Sequence, residues 1–206
     1  MGKAEITKEL ILKEAFKLFI KNNYEKVTIL DIENASRQAK GTIFYHFKNK
    51  EHIFKSVIDR FIIEAQNLKN KMKIKDESRS LHQFIRDYVD GVNNTMSRLK
   101  LLLNLEPDEN ITKYYINLIM QASVYYENFN EKVNDIREHE LIAWFDNISK
   151  ARQAGEIKEE TDPLWAAKNF HYVFYGLVFN YSILKEFEAL ELYEIYLSIY
   201  NIIKKK

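Results

Sequence analysis

Cysteine is absent from the 206 residues, which excludes disulfides, thiol catalysis and Cys-ligated zinc. Glycine occurs five times and proline twice. Collagen-like chains and turn-rich all-β folds need many more of both. There is no run of 18 apolar residues, and the first ten residues lack the apolar core of a signal peptide; a cytoplasmic chain with no membrane partner is expected. Glycine-rich phosphate loops and the serine nucleophile elbow are missing. The residues three before the five histidines are Ile43, Asn49, Arg79, Ile136 and Lys168. None is acidic, so the Glu–His spacing of di-iron bundles is absent. His139-Glu140 lacks the second histidine of a zinc-protease motif. The chain reads as a non-enzyme with no cofactor and no bound metal.

What is present is a helical pattern. Apolar residues make up 46% of the chain and charged residues 30%, enough of each for a folded, water-soluble core. Stripes such as Ile11, Ala15, Leu18, Phe19 and Ile53, Val57, Phe61, Ala65 recur at three- and four-residue spacing, and sustained alternation is missing. An all-α fold without a sheet is predicted. Thr7 is placed to cap a first helix over about 8–22, with Asn23 in the left-handed position after it. Thr28 with Asp31 forms a capping box for a second helix. Asn49 caps a long helix from Lys50 to about Lys73, and Asp162 caps another that Pro163 opens. A break is expected near Ser123 within the stretch 111–154, which has no Gly or Pro.

Charge is unevenly distributed. Net charge is +1, yet residues 1–75 carry 16 Lys/Arg against 9 Asp/Glu, while residues 76–206 carry 15 against 21. A basic N-terminal part suits an anionic partner. Two short predicted helices, about 28–36 and 39–44, follow the first helix and precede the long one. This spacing looks like a helix-turn-helix, with the third helix as the reader. Lys40, Gly41, Thr42, Tyr45 and His46 would face outward, where small or hydrogen-bonding side chains suit base edges and phosphates. Ile43, Phe44 and Phe47 would face inward.

The segments Ile11-Leu12-Lys13-Glu14-Ala15-Phe16-Lys17-Leu18-Phe19, Asn23-Tyr24, Thr28-Ile29-Leu30-Asp31-Ile32 and Gly41-Thr42-Ile43-Phe44-Tyr45-His46-Phe47-Lys48-Asn49-Lys50-Glu51 resemble the N-terminal signature of the TetR/AcrR family of bacterial repressors. Ala151–Ile157, then Asp162-Pro163-Leu164-Trp165-Ala166-Ala167, then Gly176, resemble the family's pattern at the end of its eighth helix and the start of its ninth. The resemblance implies nine or ten helices: a DNA-binding domain over 1–50, and a ligand-binding and dimerisation domain over 51–206 with residues 51–73 as the linking helix. It also implies a homodimer on a roughly palindromic double-stranded operator, released by a small-molecule effector. By the same resemblance the phosphate-contacting threonine falls on Thr28, the reading positions on Lys40, Gly41 and Thr42, the histidine before the closing phenylalanine on His46, and the phosphate-directed lysine of the fourth helix on Lys50. Arg37 and Lys48 complete the basic face.

Three departures stand out. Arg37 takes the place of the family's turn glycine, where positive φ costs roughly 1 kcal/mol. Ala39 offers no capping oxygen. Phe44 replaces a tyrosine and its phosphate hydroxyl. These departures support an alternative reading, a helical ligand- or protein-binding module with a degenerate DNA-binding head.

In the C-terminal part, residues 164–184 are apolar on nearly every side and need cover on nearly every side. With Leu141, Trp144, Phe145 and Ile148, they give a predicted four-helix dimer interface to which this helix contributes Phe170, Phe174, Leu177, Val178 and Tyr181. An effector pocket is expected among Phe84, Tyr88, Val92, Met96, Leu103, Tyr115, Ile119, Tyr126 and Phe129, a lining suited to bulky apolar or cationic molecules. A Met or aromatic at helical spacing is more often plain core.

Overall fold

The computed structural model describes residues 2–67, 79–106 and 109–205. Among these residues there are nine helices: α1 (Lys3–Lys21), α2 (Ile29–Ser36), α3 (Lys40–His46), α4 (Lys50–Ile58), α5 (Leu81–Leu103), α6 (Ile111–Tyr125), α7 (Phe129–Gln153), α8 (Pro163–Leu184) and α9 (Ala189–Ile203). The described residues hold one isolated β-bridge, Ile157 with Lys204, and no sheet. The stretch expected to continue the linking helix to Lys73 lies beyond the described residues from position 68 on.

Local capping chemistry sets most boundaries. The Thr28–Asp31 box is complete, with each residue's backbone N–H held by the other's side chain. Asn49 accepts from the His52 N–H, and Asp162 from that of Leu164 ahead of Pro163. Two expectations fail. Helix α1 starts at Lys3, and the Thr7 hydroxyl donates to the Lys3 carbonyl within it rather than capping it. Nothing between Lys3 and Thr7 breaks a helix, so the chain propagates back to Gly2. Asn23 does not turn left-handed either. Asn22 ends α1 in extended geometry, and its side-chain amide satisfies the Leu18 carbonyl. Left-handed residues occur at Arg37, Asn104, Asn128 and Gly155. Asn128 makes the break between α6 and α7, a few residues beyond Ser123.

Helix α4 does not run on in α geometry. Asp59–Ile63 forms a π turn before the chain returns to α-helix at Glu64–Gln66.

The fold divides into two compact units. One comprises Met1–Ala65 with Tyr114–Val133, the other Gln66–Lys113 with Asn134–Lys206. The first has its core where α1 buries Ile11, Ala15, Phe16, Phe19 and Ile20, together with Ile32, Ile43, Phe47, Phe54 and Val57. Phe16 stacks on Phe61 with centroids 4.4 Å apart, and Phe19 meets the edge of Phe54 at 5.1 Å. Each such aromatic or aliphatic burial is worth about 1.5–3 kcal/mol. This core fixes α2 and α3 on α1 and α4. The second unit is organised around Trp144 of α7, which stacks on Phe170 at 4.6 Å and meets Phe84, Tyr88 and Tyr196 at 4.7–5.4 Å.

Candidate nucleic-acid interface

Helices α2 and α3 are joined by Arg37, Gln38 and Ala39. Arg37 has φ 54° and ψ 33°, the left-handed conformation normally given to glycine, so the anticipated strain is present. Ala39 occupies the N-cap of α3 without a side-chain hydrogen bond, which forfeits about 1 kcal/mol.

Seven-residue α3 turns Ile43 and then Phe47 into the core and leaves Lys40, Gly41 and Tyr45 exposed, with Thr42 and His46 partly so. Tyr45 is 79% exposed. A Cβ placed on Gly41 would meet nothing within 4 Å, so the chain's own packing does not demand glycine there. Phe44 corrects the sequence reading: it is 42% exposed rather than inward-facing, and the Lys40 ammonium lies 6.0 Å from its ring. At 100° per residue, position 44 stands well round the helix from Ile43, and aromatic character alone misled the assignment.

Two residues placed on phosphates by resemblance are engaged within the chain. The Thr28 hydroxyl donates to Asp31 Oδ2 (2.7 Å) while accepting from the Asp31 N–H. Hydrogen bonds from the Thr28 backbone and hydroxyl hold the Asp31 carboxyl below its usual value. Lys50 is half-buried; its Nζ donates to the Tyr24 carbonyl (3.0 Å) and lies 4.3 Å from the Tyr24 ring. Arg37 and Lys48 are exposed, and the Lys48 N–H donates to His52 Nδ1.

The expected pocket residues fall in both units. Phe84, Tyr88, Val92 and Leu103 are buried in α5 in the second unit, and Met96 is half-buried there. Met96 lines an open groove of about 670 Å³ with Asn93, Ser97, Lys100 and residues 185–190. Tyr115, Ile119, Tyr126 and Phe129 belong to the first unit, where the Tyr126 hydroxyl donates to Asp59 and Lys132 Nζ pairs with the same carboxylate at 2.7 Å.

Sequence reasoning missed Glu140. This carboxylate is buried on α7 and accepts from the hydroxyls of Tyr88 (2.5 Å) and Tyr175 (2.7 Å). Its charge, together with burial, pushes the Tyr88 hydroxyl well above its ordinary pKa, burial being the larger cause. The available signal was an acid four residues before Trp144, on the same helical face.

The predicted interface residues divide by burial. Trp144, Ile148, Phe170, Phe174, Val178 and Tyr181 are buried within their own unit, Leu141 and Leu177 are half-buried, and Phe145 remains exposed. On the opposite side of α8, Trp165, Tyr172, Phe179 and Ile183 form an exposed apolar strip, flanked on its own helix by Lys168, Gly176 and Asn180. Helix α7 exposes Ile142 as well as Phe145, three residues apart in sequence.

Comparison with known proteins places this geometry among relatives. Residues 11–57 match the family model described as bacterial regulatory proteins, tetR family. The transcriptional regulator QacR of Staphylococcus aureus is 42% identical over 154 residues, covering 72% of each chain. The negative regulator of the biofilm operon icaADBC in the same species, IcaR, is 21% identical over 74% of this chain and 89% of its own. The repressor ComR of Escherichia coli is 29% identical over 87 residues, which span 41% of ComR. Among solved structures, a TetR-family regulator from Agrobacterium tumefaciens superposes with a TM-score of 0.69 at 13% identity, over 98% of this chain and all of that one. SmeT in complex with triclosan superposes at 0.66 and 17% identity, over 98% and 93%. The last two likenesses concern fold.

Proposed function

This chain belongs to the tetR family of bacterial regulatory proteins, and on that premise we propose that it is a cytoplasmic, homodimeric repressor released from its operator by a small molecule. The observation that carries the DNA-binding part is the outward face of the turn and α3: Arg37, Lys40, Gly41, Thr42, Tyr45 and His46 stand together above a core that fixes them. Lys40 and Arg37 supply charge, Thr42 and Tyr45 supply hydrogen bonds, and the bare backbone at Gly41 permits close approach to a groove. Lys50 keeps two N–H groups beyond the one it gives Tyr24, enough for a phosphate. Thr28 reaches a phosphate by exchanging its bond to Asp31. Lys48 adds charge at the end of α3. These functions are assigned to residues 1–50, and effector binding and dimerisation to 51–206, with 51–73 between them.

The exposed strip of α8, Trp165, Tyr172, Phe179 and Ile183, supports a two-fold contact with a second copy, and Gly176 lets two such helices come close. The dimer would set two α3 helices about one helical turn apart, ~34 Å, on a roughly palindromic duplex. The effector binds among the helices of the C-terminal part and favours one spacing of the reading helices over the other.

The test is a gel shift against the DNA upstream of the protein's own gene and against duplexes selected from a random pool. Binding that falls steeply with salt and weakens in Lys40→Ala and Thr42→Ala is the expected result. Failure of the wild-type protein to retain any duplex would favour the module with a degenerate head.

A further inference from the structure

Tyr24, in the connection between α1 and α2, is gripped from two directions within the first unit. From α4, Lys50 Nζ donates to its carbonyl and lies over its ring. From α6, Gln121 Oε1 accepts its backbone N–H at 2.6 Å, and the Tyr125 ring packs on its ring at 4.6 Å. Gln121 and Tyr125 are four residues apart, hence on one helical face, and the Tyr125 hydroxyl is anchored on Glu25 at 2.8 Å. One residue therefore links α6 to the lysine that opens α4.

The position of Lys50 makes that link consequential. A cation in the first turn of a helix faces the positive end of the helix dipole and is pushed away from it. A lysine also carries a long side chain with many rotamers. The Tyr24 carbonyl and ring oppose both effects, so the place of the ammonium follows the place of Tyr24. Gln121 controls that place at a cost. It is 7% exposed, and its Nε2 has no hydrogen-bond partner. An apolar residue here would avoid burying an unsatisfied donor but would leave the Tyr24 N–H without its acceptor.

We propose that Gln121, acting through Tyr24, is a positioning residue for Lys50, so that α6 sets the grip of the head on a DNA phosphate. The inference rests on the reading of Lys50 as a phosphate contact. Its occupant is the duplex backbone, and its consequence is that whatever displaces Gln121 withdraws a charge from the DNA without touching the reading helix.

The experiment uses the full chain and a duplex that the wild-type protein enriches from a random pool, with dissociation constants measured across salt concentrations. Lys50→Met is expected to reduce the salt slope by about 1 for each phosphate it leaves without a cation. Gln121→Leu is expected to reduce it equally, and the double variant no further, because both changes disable the same ammonium. Tyr24→Leu, which takes away the ring, should behave as Gln121→Leu does and serves as the second variant if that one does not fold. Leu118→Ala, a cavity in the same helix, is the control: it should lower the melting temperature and leave the slope unchanged. If Lys50→Met lowers the slope while Gln121→Leu and Tyr24→Leu retain it, the positioning role is overturned and the phosphate contact stands. If Lys50→Met itself retains the slope, or no duplex is enriched, the underlying reading fails and the inference with it.

Discussion

The carboxylate of Glu156 closes the N-terminus of α5 at Leu81. Its two oxygens accept the backbone N–H groups of Leu81 (2.9 Å) and His82 (3.1 Å), and the Tyr200 hydroxyl donates to it at 3.0 Å. Ser80 satisfies a third helix N–H, that of Gln83. A residue 74 positions beyond His82 thereby caps a 23-residue helix. Glu156→Ala strips two N–H groups of their acceptor and is expected to destabilise the protein by about 1–3 kcal/mol, read as a lower midpoint in urea denaturation. An unchanged midpoint would remove the capping role.

The tyrosine that bonds to that carboxylate makes stability sensitive to alkaline pH. Burial first, then the hydrogen bond to Glu156, pushes the Tyr200 pKa from 10.0 up to about 12. The folded state therefore holds this proton more tightly than the unfolded chain. Stability from this source is complete below pH 10 and declines as pH rises toward 12. Tyr200→Phe should flatten the decline across that interval, measured by chemical denaturation at each pH.

Arg37 gives two effects of opposite sign. Its left-handed backbone costs roughly 1–2 kcal/mol, and glycine avoids that while bringing about 0.5–1 kcal/mol of extra chain entropy to the unfolded state. Arg37→Gly is expected to raise the melting temperature slightly. The same change deletes an exposed charge beside α3, so the affinity for a selected duplex should fall together with its salt dependence. A variant that loses stability and keeps affinity would reverse the assignment.

Phe179 sits in the exposed strip of α8 with Trp165, Tyr172 and Ile183. Under the proposed two-fold contact, a charge introduced there would meet its own copy. Phe179→Asp is expected to sediment as a monomer at concentrations where the wild type is a dimer, with helicity by circular dichroism unchanged. A wild type that sediments as a monomer would deny the strip this role.

The legible parts of the fold were those decided within three or four residues. The Thr28–Asp31 box, the Asn49 cap and the Asp162-Pro163 start need only neighbours in sequence, whereas the left-handed Arg37 followed from the family resemblance, which puts a glycine at that position. Features decided by remote partners were not legible. Helix α8 is apolar on nearly every side, so its pattern carries no direction; Trp144 and Tyr196, distant in sequence, determine that Phe170 faces inward. Glu140 entered the sequence reading only through the incomplete His139-Glu140 motif, because the tyrosines that donate to it lie 52 and 35 residues away. In the head, basic side chains were legible as a group. That Lys50 leans on Tyr24 depends on a contact across 26 residues, which no local pattern encodes.

The π turn at Asp59–Ile63 works as a phase shifter. Its one surplus residue per turn sets Glu64 and Ala65 about 100° behind where an uninterrupted α-helix would carry them. Ile53, Phe54, Val57 and Ile58 hold the preceding turns against the head, and within the turn Phe61 stacks on Phe16 and Ile62 is buried. Removing Asp59 would turn Phe61 away from Phe16 and Ile62 out of the core by more than a quarter of a revolution, so the surplus residue is what keeps both side chains in register.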